Sequence, residues 1–218
     1  SELFFLSNMQ KLLDLFYLTT GVCTDTRKIS KNCLYIALKG ENHNGNTFAQ
    51  DAIEKGAMYA IVDEKEYANN TTIFWVEDAL TYLQNLANHH RQKYRIPVIG
   101  ITGSNGKTTT KELVANVLSQ KYTILCTTGN LNNHIGVPLT LLELNNSHDL
   151  AIIEMGANKP FDIKELAEIA EPTHGIITNI GAAHLEGFGS KEGVLKTKKE
   201  LYEFIEDIGG TIFYNLDD

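Results

Sequence analysis

Cysteine is scarce in this chain. The three present, Cys23, Cys33 and Cys126, show no CxxC spacing. That excludes a disulfide framework and a zinc ribbon, and it reads as reduced thiols, mostly packing residues, of a cytoplasmic protein. Basic residues are outnumbered, 19 Lys and Arg against 27 Asp and Glu, for a net charge of −8. With no basic excess, nucleic-acid binding is not expected. No apolar run approaches the roughly 18 residues of a membrane span. No charged-then-apolar signal peptide opens the chain. Internal repeats and low-complexity linkers are missing as well. What remains is ordinary for a soluble globular protein, 43% hydrophobic and 21% charged over 218 residues, enough for one or two domains with a buried core.

The pattern along the chain predicts an α/β protein. Ser7-Asn8-Met9-Gln10 fits a capping box, with Met9, Leu12, Leu13 and Phe16 following at helical spacing. Asp25-Thr26-Arg27 sits in a polar turn. Cys33–Leu38, Tyr59–Asp63 and Ile73–Val76 read as strands, and Thr47–Gly56 as a helix closed by glycine. Asp78 can cap a longer helix reaching about Tyr94, with His89 and His90 on a solvated face at its polar end. From Ile96 the pattern becomes strand, glycine loop, helix, repeated. Pro97–Thr102, Leu150–Met155 and Gly175–Ile180 are apolar enough for strands buried on both faces, with Thr211–Asn215 as a last strand. Lys111–Leu118 and Asp162–Ala170 read as helices. Such alternation implies a mostly parallel sheet. A boundary near Tyr94–Ile96 divides a small α/β unit, 1–95, from a second, 96–218. The second stops after one strand and Asp217-Asp218, which predicts a truncated chain.

One loop carries chemistry. The stretch Ile101-Thr102-Gly103-Ser104-Asn105-Gly106-Lys107-Thr108-Thr109 lies between a predicted buried strand and a predicted helix, the context a phosphate loop needs. Glycines let backbone N–H groups turn inward around phosphate oxygens, and the helix N-terminus adds partial positive charge. Lys107 can reach the β- and γ-phosphates of ATP, and the Thr108 hydroxyl can bind Mg²⁺. Ile101 stands where the general pattern has its first glycine, so the form here is T-G-x-x-G-K-T-T. The plainer alternative is a glycine-rich turn with a surface lysine. Glu154 ends an apolar strand, and ligands of parallel sheets gather at carboxyl ends of strands. An acid there can hold Mg²⁺, or it can be a salt-bridged strand end. His184 follows the next strand end, where a loop histidine is as readily structural as functional.

These residues bring a family into view. The chain resembles the Mur ligases of bacterial cell-wall synthesis, and within them the MurF type. The resemblance rests on Thr102–Thr109, Gly129-Asn130-Leu131-Asn132-Asn133, Ile135–Thr140, Ile153–Asn158, Thr178–Ser190 and Lys196–Glu200. Asp25-Thr26-Arg27 and Ala37–Gly40 add to it. It covers essentially the whole chain, and it implies a UDP-substrate domain followed by an ATPase domain. The implied reaction is ATP-dependent: a carboxylate of UDP-MurNAc-tripeptide becomes an acyl phosphate, and D-Ala-D-Ala attacks it. By resemblance, Gly103, Ser104, Asn105, Gly106, Lys107, Thr108 and Thr109 bind ATP, with Lys107 catalytic. Thr108 and Glu154 hold one Mg²⁺. His184 and Lys198 serve a second, the lysine as a carbamate. Read without the family, Lys198 is a solvated helix residue among Lys191, Lys196 and Lys199.

The resemblance also assigns Asp25, Thr26 and Arg27 to the uridine diphosphate, and Asn130 and Asn133 to the sugar–peptide. The plainer alternative for the asparagines is turn chemistry, because Asn tolerates tight turns. Two departures stand out: Phe161 where the family has a small residue, and Asn44-Gly45-Asn46 where Asp-Gly-His is common. Mur ligases carry a third domain with further ATP contacts and the amine-substrate site, which this sequence does not include. The implied protein is cytoplasmic, and the fragment is expected to be nearly inactive alone; the oligomeric state is open, with a monomer favoured. Two other readings compete: a nucleotide-binding module without ligase activity, and another ligase of the superfamily such as the folylpolyglutamate type.

Overall fold

Short apolar runs bounded by glycine and polar turns form both sheets, and the helices pack their apolar stripes onto them. The structure, a computed structural model, describes residues 10–181, 188 and 190–216. The chain divides into two compact units, Ser1–Leu86 and Ala87–Asp218. Among the described residues no helix is long and apolar enough to cross a membrane.

The first unit opens with helical residues 10–15 (α1), followed by strands β1 (Val22–Cys23) and β2 (Leu34–Ile36). A hairpin of β3 (Lys39–Gly40) and β4 (His43–Asn44) leads through a 3-10 turn into α2 (Ala49–Glu54). Strands β5 (Tyr59–Val62) and β6 (Ile73–Trp75) complete a parallel sheet of order β1-β2-β5-β6. Tyr35, Ala37, Ala60 and Val62 alternate onto one face, where Ala49 and Ala52 of α2 meet them. Asn46, one of the departures from the family pattern, is fully buried. It joins Asn44, Asp63 and Glu64 by hydrogen bonds, and Lys39 pairs with both acids at 2.9 and 3.1 Å.

Helix α3 (Ala79–Gln92) is capped by Asp78, whose Oδ1 accepts from Thr81 N at 2.6 Å. Its inward stripe runs through Ala79, Tyr82, Leu83, Leu86 and Ala87 and continues into His90 and Arg91. His90 is therefore not on a solvated face as expected. It is 3% exposed, its Nε2 sits 2.9 Å from Leu144 O, and burial pushes its imidazole pKa down. The period of 3.6 residues overrode the polar residue type.

The second unit holds β7 (Val98–Thr102), α4 (Lys107–Leu118), β8 (Ile124–Cys126), α5 (Gly136–Leu141), β9 (Leu150–Glu154), α6 (Asp162–Ala170), β10 (His174–Ile177), α7 (Lys191–Asp207) and β11 (Thr211–Phe213). The strands form one parallel sheet of order β11-β10-β7-β9-β8. All five residues of β9 are buried. Ile101, Leu150 and Ile152 pack against Val114, Ala115 and Leu118 of α4. From β7 the chain crosses through α4 to the β8 edge, whereas from β10 it crosses through α7 to the opposite edge. The carboxyl ends of β7 and β10 thus flank a topological switch point. Strand β10 ends at Ile177, sooner than the apolar run suggests, because Thr178 and Asn179 turn their hydrogen bonds to the loop after β7.

Candidate functional site at the carboxyl edge of the second sheet

Strand β7 runs straight into Gly103–Gly106. Gly103 has φ 147° and Gly106 has φ 76°, backbone that L side chains rarely adopt. A Cβ on Gly103 would also collide with the Thr178 hydroxyl. Gly106 is the left-handed N-cap of α4, and the first intrahelical bond runs from Thr110 N to Gly106 O at 2.8 Å. The amides of Lys107, Thr108 and Thr109 lie ahead of it and have no intrahelical acceptor. Together with the helix dipole they form an anion-binding end. Lys107 Nζ donates to Gly103 O at 2.9 Å, and the Thr108 side chain is exposed at the first turn.

The loop after β10 braces this turn. Ser104 N donates to Asn179 O and Asn105 N to Asn179 Oδ1, both at 3.0 Å. Thr178 Oγ1 donates to Asn105 O at 2.6 Å, and Ser104 Oγ accepts from Gly181 N at 2.9 Å. Asn179 was not legible as a brace, because its position opposite the loop follows from strand order alone.

Glu154 lies on β9 in register with Ile101 and is 2% exposed. Its Oε1 accepts from Asn132 Nδ2 at 2.8 Å, whereas its Oε2 is buried with no hydrogen-bond partner. Such an atom loses its water and gains nothing. A hard divalent cation would supply what it lacks, and Mg²⁺ is commonly held by one or two carboxylates plus phosphate oxygens and water. The residues present fit that ion. Among the described residues no three His, Cys, Asp or Glu side chains converge on one point.

A cavity of about 300 Å³ opens beside the loop, lined by Lys107, Asn130, Asn133, Asp162 and Lys198 among others. Lys198 is not solvated as its residue type suggests. It is 2% exposed, on the inward stripe Val194, Thr197, Lys198, Leu201 and Ile205 of α7. That spacing was a usable sequence signal. Burial, helped by the nearby Lys107 charge, brings the Lys198 amine down to about 8, with Asp162 and Glu200 opposing. Glu200, two residues on, caps α6 from outside: Oε1 accepts from Phe161 N at 3.0 Å and Oε2 from Lys164 N at 2.9 Å. This bond holds Phe161 in a left-handed conformation, φ 71°, that a bulky residue seldom takes. Asn133 lines the cavity and also caps α5, its Oδ1 accepting from Ile135 N and Gly136 N at 3.1 and 2.8 Å. His184 lies outside the described residues.

The other expected site belongs to the first unit. Thr24, Asp25, Thr26, Arg27, His43 and Phe48 line a surface cavity of about 510 Å³. There Arg27 forks onto Asp25, Nε to Oδ1 at 2.9 Å and Nη2 to Oδ2 at 2.8 Å. Those hydrogen bonds hold the Asp25 carboxyl well below the usual carboxylate range.

Known proteins are similar to this chain along most of its length. Residues 101–218 match the model for the Mur ligase middle domain, and residues 19–99 match that for the Mur ligase family, catalytic domain. A UDP-N-acetylmuramoyl-tripeptide–D-alanyl-D-alanine ligase of Bacillus subtilis is 41% identical over 196 residues, covering 88% of this chain and 43% of that protein. The ligase of the same name from Escherichia coli is 42% identical, with 87% and 42% covered. The crystal structure of MurF ligase from Thermotoga maritima in complex with ADP superposes with a TM-score of 0.80 at 35% identity, covering 88% of this chain and 44% of that one. The chain spans less than half the length of the curated relatives it matches.

Proposed function

This chain belongs to the Mur ligase family, and we propose on that premise that it forms the substrate- and ATP-handling part of an enzyme that adds D-Ala-D-Ala to UDP-MurNAc-tripeptide in the cytoplasm. The observation that carries the proposal is the unpartnered Glu154 Oε2 buried in register with the strand that feeds the phosphate loop. A core does not retain such an atom for stability. Likeness to ligases named for this reaction supplies the substrates.

In this reading the loop amides and Lys107 receive the ATP phosphates. Mg²⁺, when bound, offsets the negative charge that gathers on the phosphoryl oxygens. Thr108 and Glu154 would hold one such ion, and His184 with Lys198 a second. A carboxylate oxygen of the tripeptide forms a bond to the γ-phosphorus as the bond to ADP breaks. The D-Ala-D-Ala amine then bonds to the acyl carbon, inorganic phosphate departs and the amine gives up a proton. Lys107 and the amides stabilise the transferring group throughout. Lys198 suits its assigned carbamate: with its amine near 8, a sizeable neutral fraction exists at neutral pH to add CO₂. Asp25, Thr26 and Arg27 take the uridine diphosphate, Arg27 exchanging Asp25 for phosphate oxygens. Asn130 and Asn133 face the sugar–peptide.

The test uses a chain of the relatives' full length that carries this sequence. Given ATP, Mg²⁺, UDP-MurNAc-tripeptide and D-Ala-D-Ala, it should release phosphate in step with UDP-MurNAc-pentapeptide. Phosphate release that is absent, or independent of D-Ala-D-Ala, rejects the assignment.

A further inference from the structure

Lys111 is a buried cation that the proposed chemistry does not use. It is 1% exposed and sits one turn after Lys107 on the same face of α4. Burying an ammonium is costly unless it is hydrogen-bonded and paired. Both conditions are met: Nζ donates to Thr127 O at 2.6 Å and meets Glu112 Oε1 at 2.9 Å. The carbonyl it grips belongs to a residue with further duties. Thr127 N donates to Ile152 O at 3.0 Å, and Thr127 Oγ1 accepts from Glu154 N at 2.9 Å. Five residues on, Asn132 Nδ2 donates to Glu154 Oε1 at 2.8 Å, and Asn132 O accepts from Gly156 N at 2.7 Å. A Cβ on Gly156 would crowd Asn132 Oδ1 at 2.9 Å, so the two backbones are closely fitted. Glu154 is therefore held by both ends of one segment, its amide by Thr127 and its carboxylate by Asn132.

We infer that residues 127–132 are a strap, pinned by Lys111 to the phosphate-loop helix, which positions Glu154 so that Oε2 stays free to meet a divalent cation. The inference rests on the reading that Glu154 meets the cation of bound ATP. Lys111, Thr127 and Asn132 are positioning residues in it. The Asn132 amide occupies Oε1, and the strap leaves the second oxygen without a partner. The pin ties the cation-binding strand end to the helix whose N-terminus receives phosphate.

The experiment is calorimetric titration of ATP into the full 218-residue chain at stepped Mg²⁺ concentrations and in EDTA. The wild-type chain should bind ATP more tightly as Mg²⁺ rises, and Glu154→Gln should abolish that gain. A wild-type chain indifferent to Mg²⁺ would reject the underlying reading instead. Lys111→Met keeps the volume of the stem and removes the donor. It should need about tenfold more Mg²⁺ for the half-maximal effect, the loss typical of a disturbed outer partner of a metal ligand. Its affinity in EDTA should stay within twofold of wild type. An unchanged Mg²⁺ requirement overturns the inference, and so does an equal loss in EDTA and Mg²⁺. Should Lys111→Met not fold, Thr127→Val and Thr127→Ser decide. Serine retains the hydroxyl that accepts from Glu154 N, so only the valine variant should show the tenfold shift. Equal requirements in the two overturn the strap.

Discussion

The polar cluster at Asp25–Arg27 and the one around Glu154 and Lys198 differ in how far each satisfies itself. In the first unit, Arg27 and Asp25 close a fork in open solvent, and each supplies what the other needs. In the second, two buried side chains lack an ion pair among the described residues: Glu154 Oε2 has no hydrogen-bond partner, and Lys198, its Nζ over the Phe188 ring at 5.9 Å, has no carboxylate within 4 Å. An exposed pair says little about function, because water would serve either group as well. A buried acceptor left without a donor calls for a partner from outside the chain, an ion or water among them. The second cluster therefore speaks for binding by physics, whereas the first speaks through family resemblance.

The largest effect expected from this contrast is on turnover. Lys107→Ala in a full-length enzyme should slow phosphate release by on the order of 10²–10³, the loss seen when one stabilising donor is removed. A change below about tenfold, roughly 1.4 kcal/mol of barrier, would detach Lys107 from the transferring phosphate. Next is a stability effect that separates satisfied from unsatisfied carboxylates within the second unit. Glu200→Ala strips acceptors from Phe161 N and Lys164 N and should cost about 2 kcal/mol in urea unfolding, as lost helix caps do. Glu154→Gln, measured the same way without nucleotide, should leave stability within about 1 kcal/mol of wild type or raise it, because the oxygen it alters had no partner. A Glu154→Gln chain destabilised as much as Glu200→Ala would break the comparison. Last, Arg27→Ala should leave the unfolding midpoint unmoved while weakening UDP binding. A clear drop in the midpoint would mean that the exposed fork is structural after all.

Much of the scaffold was legible. Helix α6 begins and ends at Asp162 and Ala170, as its spacing and polar start suggest. Strands β7 and β9 follow from their apolar runs within a residue. Strands β1 and β8 were not legible, because two or three residues are too few for alternation to show. The misjudged side chains, His90 and Lys198, share one cause. Residue type says solvent, yet each lies on a helical stripe otherwise made largely of apolar residues. Counting 3.6 residues per turn through the polar position would have placed both inward.

The sequence by itself determined that a strand enters a glycine turn and leaves as a helix, and so that an anion-binding end exists. Those features are local: glycine's freedom at positive φ, the lysine after it, and the period of the flanking runs act over a few residues. Only the tertiary structure decided which groups would be buried near that end. Glu154 lies beside the strand that feeds the loop because β9 pairs with β7, though 52 positions separate Thr102 from Glu154 in the chain. Lys198 reaches the cavity that Lys107 lines because α7 packs against α6 and against strands β10 and β7. Desolvation depends on every atom around a group, and those atoms come from segments remote in sequence. The loop could be read along the chain, but the burial of an unpartnered carboxylate oxygen on the strand beside it arises only across the fold.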